Sequence, residues 1–353
     1  MKDLCVVIIN YRQAALTADC LRSLAPDMAR NPSWCAVLAD NCSCDGSAEE
    51  LESLIARENW SWVTLVKSPV NGGFSAGNNI GFTTVQSRAY LLLNSDARVT
   101  PGALQCLLNT LNENPRAGLI GPRLQWPDGD AQISAFTNRN PVGEFLEAAG
   151  ISLLDRLFNR FIVARPIPDS LSQSQWVSFA CVLIRREVID QIGLMDEGYF
   201  MYFEDIDYCR RAHRAGWIVL HQPSARVIHL RGGSSSVKSA IKSRARIPRY
   251  YYEARTRYFA KFYGGIFGVL LTNLCWLAGR CISWPRELLT RLAPSTCKRE
   301  GFDNWTNFLS PMRHHSVPTT STKPSISPSS PHNRRPVSEP VGSGGSGVSG
   351  GAR

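Results

Sequence analysis

The sequence predicts an α/β fold, a mostly parallel central sheet with helices on both faces, followed by C-terminal amphipathic and hydrophobic helices and a disordered tail. Three observations predict it. Strand-length apolar runs alternate with helix-length segments over residues 1–120, and such alternation means βαβ units and a sheet covered on both sides. The 353 residues are 44% hydrophobic and 19% charged, enough to bury a sizeable core; this excludes collagen, coiled coil and a wholly disordered chain. Polar residues and glycines follow each of the first four strand-like runs, where open α/β sheets bind ligands.

Leu4–Ile9 is a continuous apolar run of strand length, and Ala14–Leu24 reads as a helix. Cys35–Ala39 is a second strand. Ser47–Arg57 is a helix whose Ser47 and Glu50 have capping-box spacing. Trp62–Val66, Ser75–Val85 and Ala89–Leu93 read as strand, helix and strand. Pro101–Asn112 is a helix with Pro in its first turn, and Leu119 opens another strand. Residues 122–134 read as a hairpin turning at Pro127-Asp128-Gly129. Residues 137–172 have weak periodicity and read as a variable loop or lid. Val177–Ile184 is strand-like, Glu187–Ile192 and Glu204–Ala215 are helical, and Trp217–Leu220 and Ala225–Leu230 are short strands.

The net charge of +10 is unevenly placed. Residues 1–235 hold 21 Lys and Arg against 24 Asp and Glu, whereas residues 236–300 hold 13 against 3. A basic region suggests anionic lipid, a phosphate-bearing substrate or nucleic acid; no nucleic-acid recognition motif accompanies it, so nucleic acid is not an expected partner. Aromatics and basic residues interleave from Tyr250 to Tyr263, and Gly264–Gly279 is nearly free of charge. No apolar run reaches the roughly 18 residues of a clear transmembrane helix, so the stretch suits a helix lying in a membrane interface. Residues 313–353, rich in Pro, Ser and Gly, read as disordered. The eleven cysteines have no paired CxxC framework and read as reduced, mostly core thiols of a cytosolic compartment. Cys42 and Cys44 are too close for an ordinary structural bridge and receive no redox role. No secretory signal precedes the first strand.

Chemistry is expected in the strand-end loops. Asn10-Tyr11 follow the first strand. Asp40, Asn41 and Asp45 follow the second and offer acceptors and an amide to a base edge and ribose hydroxyls; Asp45 and Ser47 also suit a plain turn and helix cap. Gly72-Gly73, before Asn78 and Asn79, lets backbone N–H groups approach a phosphate at a helix N-terminus. Asn94-Ser95-Asp96 ends the fourth strand, where an acid suits a hard cation such as Mg²⁺ or Mn²⁺. Far along the chain, Glu204, Asp205 and Asp207 open a helix behind the aromatic segment Tyr199–Phe203. Acids there gain from the helix dipole, and a carboxylate in an aromatic pocket also makes a general base. His229 lies inside Val227-Ile228-His229-Leu230, where a histidine is more often core than ligand.

Taken in order, Val6 to Tyr11, Asp40 to Ser47, Asn71 to Asn79, Leu92 to Asp96, Gly193 to Arg210 and His229 resemble family 2 glycosyltransferases of the GT-A, Rossmann-like fold, and among them the rhamnosyltransferase-like group of bacterial surface polysaccharide synthesis. The resemblance covers about residues 4–265. It implies a catalytic domain over 1–235, with a nucleotide-sugar-binding half at 1–120 and an acceptor-binding half at 121–235, then membrane-associated helices over 236–312. It implies that Asn10, Tyr11, Asp40 and Asp45 hold the nucleoside, that Gly73, Asn78 and Asn79 line the donor pocket, and that Asn94, Ser95 and Asp96 stand at the metal motif. Asp96 and His229 are then the ligands of Mg²⁺ or Mn²⁺, and Asp205, beside Glu204, is the catalytic base. Asp207, Asn41 and Gly72 complete the expected substrate site. Phe179 stands where a Gly is common. The implied reaction is inverting transfer from a nucleotide-diphosphate sugar, dTDP-rhamnose first and UDP-hexose, N-acetylhexosamine or galactofuranose next, to a glycan or polyprenyl-diphosphate-linked acceptor. The implied place is the cytoplasmic side of an anionic membrane. A non-catalytic nucleotide-sugar-binding protein would keep the loops but need no base.

Overall fold

The computed structural model describes residues 1–230, 236–290 and 296–314. Residues 315–353 of the expected tail lie outside the described residues. In chain order the elements are β1 Lys2–Asn10, α1 Ala14–Arg30, β2 Trp34–Asp40, α2 Ser47–Arg57, β3 Val63–Lys67, α3 Gly73–Thr84, β4 Ser87–Asn94, β5 Ala97–Val99, α4 Ala103–Glu113 and β6 Ala117–Gln125. Then come β7 Ala135–Phe136, α5 Pro141–Ala149, α6 Ser152–Leu157, β8 Ser172–Ser174, β9 Trp176–Val177, β10 Cys181–Arg185, α7 Arg186–Ile192, α8 Glu204–Arg214 and β11 Ile218–His229. The last helices are α9 Ser236–Ser243, α10 Arg249–Tyr263, α11 Ile266–Thr290 and α12 Glu300–Asp303.

Nine strands form one sheet in the order β3-β2-β1-β4-β10-β6-β11-β5, with β8 against β11. Strands β1 to β4 run parallel to one another, as do β6 and β11, while β10, β5 and β8 run antiparallel to their neighbours. Register aligns Asn10 with Asp40, Asp40 with Lys67, and Ile9 with Asn94. The carboxyl ends of these strands therefore open on one edge.

Alternation along β1 explains the two-sided core. Leu4, Val6 and Ile8 pack with α1, α2 and α4 on one face. Cys5 and Val7 point the other way, into the cluster with Phe82 of α3, Ile206 and Tyr208 of α8 and Tyr258 and Phe259 of α10. Every one of these strand side chains is buried, as expected of a parallel sheet covered on both faces.

Several local expectations change. The Ser47 hydroxyl does not cap α2; Gly46, at φ +88°, is the cap residue, and the hydroxyl accepts from Asn10 instead. Helix α4 starts at Ala103 behind Gly102, so Pro101 lies in the turn before it. The turn at Pro127–Gly129 forms, but only a Gln125–Ala131 bridge follows it. Residues 137–172 are not simply a loop: Asn140 caps α5 through the Gly143 N–H, with Pro141 at the first position. The Val177–Ile184 run is two strands broken by Ser178–Ala180, and the two short strands after α8 are one bulged strand, β11. Helix α11 continues past Arg280, whose guanidinium is neutralised by Glu287 at 2.9 Å. Its stretch Ile266–Leu289 is consequently long and apolar enough to cross a membrane, with a mean hydropathy of 1.5, which the charge-free run alone did not suggest.

Candidate active site

The strand-end loops are built around Asn10, which is fully buried. Its amide donates to Asp40 Oδ1 at 2.7 Å, Ser47 Oγ at 3.0 Å and Ser43 Oγ at 3.1 Å, while its Oδ1 accepts from Thr17 Oγ1 at 3.0 Å. Ser43 donates both its N–H and its hydroxyl to the Asp40 carboxylate and accepts from the Arg12 N–H. Asn10 and Asp40 thus brace the loop from below. Tyr11 is partly exposed beside it, and exposed Asp45 accepts from the Ser47 N–H, as its turn reading predicts.

A second set of contacts ties the neighbouring loops together. Asn41 donates to Asn71 Oδ1 and to the Gly73 carbonyl, and accepts from the Gly72 N–H. Asn78 donates to the Phe74 carbonyl. Asn79 brackets Met195, donating to its carbonyl and accepting from its N–H. These three amides are buried and hold the frame rather than lining an open pocket. Gly73, at φ +81°, lies against the Phe200 backbone, leaving no room for a Cβ. The Phe74 N–H then donates to the Phe200 carbonyl at 2.7 Å. This contact brings the acidic segment to the Gly72-Gly73 loop.

That segment is strained. Tyr202 and Phe203 both adopt left-handed backbone, at φ +73° and +67°, just before Glu204 and Asp205. Such conformations persist in non-glycine residues only where the surroundings enforce them; here Tyr202 packs on Tyr251, and Phe203 on Tyr251 and Tyr258. Asp205 is partly exposed, and burial pushes its carboxyl up to about 7 against the pull of the Ile206 N–H and the Arg139 guanidinium. Glu204 is pushed well above the usual carboxylate range by burial and then by the Asp205 charge, and its Oε2 has no partner among the described residues. Asp207 differs from both. It is 1% exposed and bound by Lys261 at 2.6 Å and Arg211 at 2.8 Å. The substrate contact expected of Asp207 does not fit that burial; it anchors α8.

Asn94, Ser95 and Asp96 are partly exposed at the end of β4. Pairing of His229 with Ala97 across β11 and β5 sets His229 Nε2 3.3 Å from Asp96 Oδ1. His229 Nδ1 is buried without a hydrogen-bond partner among the described residues. Among those residues no group of three or more His, Cys, Asp or Glu could hold a metal ion. The carboxylate–imidazole pair still fits Mg²⁺ or Mn²⁺ of the kind that takes one or two protein ligands and completes its shell with substrate phosphates. Phe179 is core, packed edge-on to Tyr208.

Sequence reasoning missed Arg139 and the Asp196 network. Arg139 lies over the Phe203 ring and pairs with Glu144 at 2.9 Å and Glu147 at 3.3 Å. The Asn140-Pro141 cap signal could have placed its segment. Asp196 accepts from Arg257 and Lys261; burial opposes its charge, yet these bonds hold its carboxyl well below the usual range.

The family model described as "Glycosyltransferase like family 2" matches residues 2–248, more than half of the chain. The chain belongs to this glycosyltransferase family. Its GT-A-like fold resembles the mannosyltransferase PcManGT of Pyrobaculum calidifontis, solved with GDP-Man and Mn²⁺, at a TM-score of 0.54 and 12% identity over 88% of this chain and 84% of that one. By sequence this glycosyltransferase is 28% identical to an N-acetylglucosaminyl-diphospho-decaprenol L-rhamnosyltransferase of Mycobacterium tuberculosis over 250 residues, 65% of this chain and 76% of the relative. It is 25% identical to the low-salt glycan biosynthesis hexosyltransferase Agl10 of Haloferax volcanii over 218 residues, covering 61% and 62%.

Proposed function

We propose that this glycosyltransferase transfers rhamnose from dTDP-rhamnose, with inversion, to a polyprenyl-diphosphate-linked glycan at the cytoplasmic face of a membrane. One observation carries the reaction type: a carboxyl pushed to about 7, Asp205, stands on the segment that the Gly73 loop meets. The choice of sugar and acceptor rests on the activity named for the mycobacterial relative; the Haloferax relative favours a second reading, a hexose donor.

In this reading Tyr11 and Asp45 take the base and ribose, on a loop braced by Asn10 and Asp40. The Gly72-Gly73 loop shapes the donor pocket at the N-terminus of α3, while its own N–H groups are held by Asn41 and Asn71. Asp96 and His229 would hold Mg²⁺ or Mn²⁺, and a divalent cation bound there would supply neutralisation of charge on the diphosphate leaving group. Glu204 stays protonated beside Asp205, so the ionisable base near neutral pH is Asp205. Its carboxylate takes the proton of the acceptor hydroxyl as that oxygen attacks the anomeric carbon from the face opposite the diphosphate. A single displacement inverts the configuration, as in inverting glycosidases.

The membrane contact falls to α11. One of its faces packs on α5 through Gly279 and buries Val269, Thr272 and Asn273. The other exposes Phe267, Leu271, Leu274, Trp284 and Leu288. In this reading α11, with one face committed to protein, lies along the bilayer surface.

The test is nucleotide-diphosphate release from dTDP-rhamnose, UDP-glucose, UDP-galactose, UDP-galactofuranose, UDP-N-acetylglucosamine and GDP-mannose, with and without Mn²⁺, using bacterial lipid extract as acceptor. Release from dTDP-rhamnose alone, dependent on metal and extract, is expected. Release from a UDP-hexose instead would replace the sugar, and nucleotide binding without release from any donor would favour the non-catalytic reading.

A further inference from the structure

The loop that carries Asp40 and Asp45 holds a feature that sugar transfer does not use. Cys42 and Cys44 flank Ser43, with their sulfurs 3.3 Å apart. Both adopt left-handed backbone, at φ +57° and +50°. Cysteine has no intrinsic preference for that region, so the loop is held curled. The curl turns Ser43 into the protein and brings the two thiols together on the outside. Cys44 is exposed and Cys42 partly so. Most of the other thiols are buried, and neither of these two supports the core. Ser43 meanwhile links Asn10, Arg12 and Asp40. A covalent bond across Ser43 therefore acts on the residue that braces the loop.

We propose that Cys42 and Cys44 form a reversible dithiol–disulfide site whose closure weakens nucleotide binding. The oxidant class is a low-molecular-weight disulfide. The Cys44 thiolate attacks one sulfur of the reagent and expels one thiolate, leaving a mixed disulfide. The Cys42 thiolate then attacks the Cys44 sulfur and expels the second. Two protein thiols become one disulfide, the reagent is reduced to two thiols, and the two protein protons pass to the departing thiolates. A bridge of this sort, exposed and strained, belongs to the easily reduced, regulatory kind. The effect on nucleotide rests on the reading of this loop as the nucleoside cradle; the sulfur chemistry does not.

The test equilibrates the reduced full chain with oxidised glutathione, alkylates the remaining thiols and maps the peptides. The expected peptide carries Cys42 and Cys44 unalkylated and lacks two hydrogens. C42S and C44S give only a glutathione adduct or an alkylated thiol. Two alkylated cysteines in the wild type, or a stable glutathione adduct on Cys44, overturn the proposal. Calorimetry with dTDP and Mn²⁺ should show affinity falling about tenfold or more on oxidation, recovering with dithiothreitol, and unchanged by oxidation in the C42S/C44S double variant. Unaltered affinity in protein with a mapped bridge overturns the coupling. If the reduced protein binds none of dTDP, UDP and GDP, the nucleoside reading fails, and the peptide map still decides the sulfur chemistry.

Discussion

Replacing Asp205 by Asn tests the proposed base with its own control. The Asn side chain is nearly isosteric, and its oxygen can still accept from the Ile206 N–H, a bond of 2.8 Å in the wild type. The folded carboxyl sits at about 7, above the roughly 3.9 of an unfolded chain, so ionising it costs folding free energy as pH rises between those values. Removing it should leave the melting temperature at pH 8 equal or higher. Turnover should behave oppositely. With a pKa of about 7, the fraction ionised is about a tenth at pH 6 and about nine-tenths at pH 8. Wild-type kcat/KM for nucleotide-diphosphate release should therefore rise about tenfold over that interval and level off above it. Asp205→Asn should lose that acid limb and about 10²–10⁴-fold in kcat, with donor affinity retained. A wild-type profile flat from pH 5.5 to 8.5, or a variant with full kcat, would refute the assignment.

Further outcomes follow from other parts of the structure. Asp96→Ala should abolish the Mn²⁺ dependence of dTDP binding, read by calorimetry, because it leaves His229 as a single ligand; equal affinity with and without metal in wild type and variant alike would remove the role. Phe259→Ala, at a side chain with no exposure in the core cluster, should cost about 3–5 kcal/mol in urea unfolding. Lys261→Met leaves Asp196 to Arg257 and Asp207 to Arg211, so its cost should be on the order of 2 kcal/mol, below the ~3–5 of a fully broken buried pair. Substituting Ser at Phe267, Leu271 and Leu274 should release the protein from anionic vesicles in co-sedimentation while leaving the melting temperature unchanged, since all three are at least half exposed; undiminished sedimentation would move the contact elsewhere.

The strand ends were legible because their signal is local. Leu4–Ile9 and Ala89–Leu93 are apolar for the length of a strand and stop at Asn10 and Asn94, which the register then places on one edge. Which polar groups face a ligand was not legible, because an amide's partners depend on neighbouring loops. Asn41 and Asn79 look like pocket residues in sequence, yet they bond to Gly73 and Met195. Helix α5 was missed because its apolar face meets α11, more than a hundred residues later, and weak periodicity conceals it. The Asp196 network spans 61 and 65 residues to Arg257 and Lys261, and no short motif encodes such a pairing.

The charge asymmetry takes on a different meaning once these partners are known. The basic excess of residues 236–300 looks in sequence like a surface for anionic lipid. In the fold, Arg255 meets Glu144 at 2.8 Å, Arg257 meets Asp196 at 2.7 Å, and Lys261 meets Asp196 and Asp207 at 2.9 and 2.6 Å. The acids belong to the acidic N-terminal region and the cations to α10. Three of the thirteen cations in this region therefore serve internal complementarity rather than a surface, and Asp207 carries that pairing directly into the helix that bears Asp205. A cut at residue 235 would strand Glu144, Asp196 and Asp207 without their α10 cations and open the core that Tyr258 and Phe259 fill. Raised salt should do little to these pairs, because they are mostly buried and screening acts chiefly on exposed charges. It follows that membrane attachment, if it is lost in salt, is held by exposed cations, and if it survives salt, by the apolar face of α11.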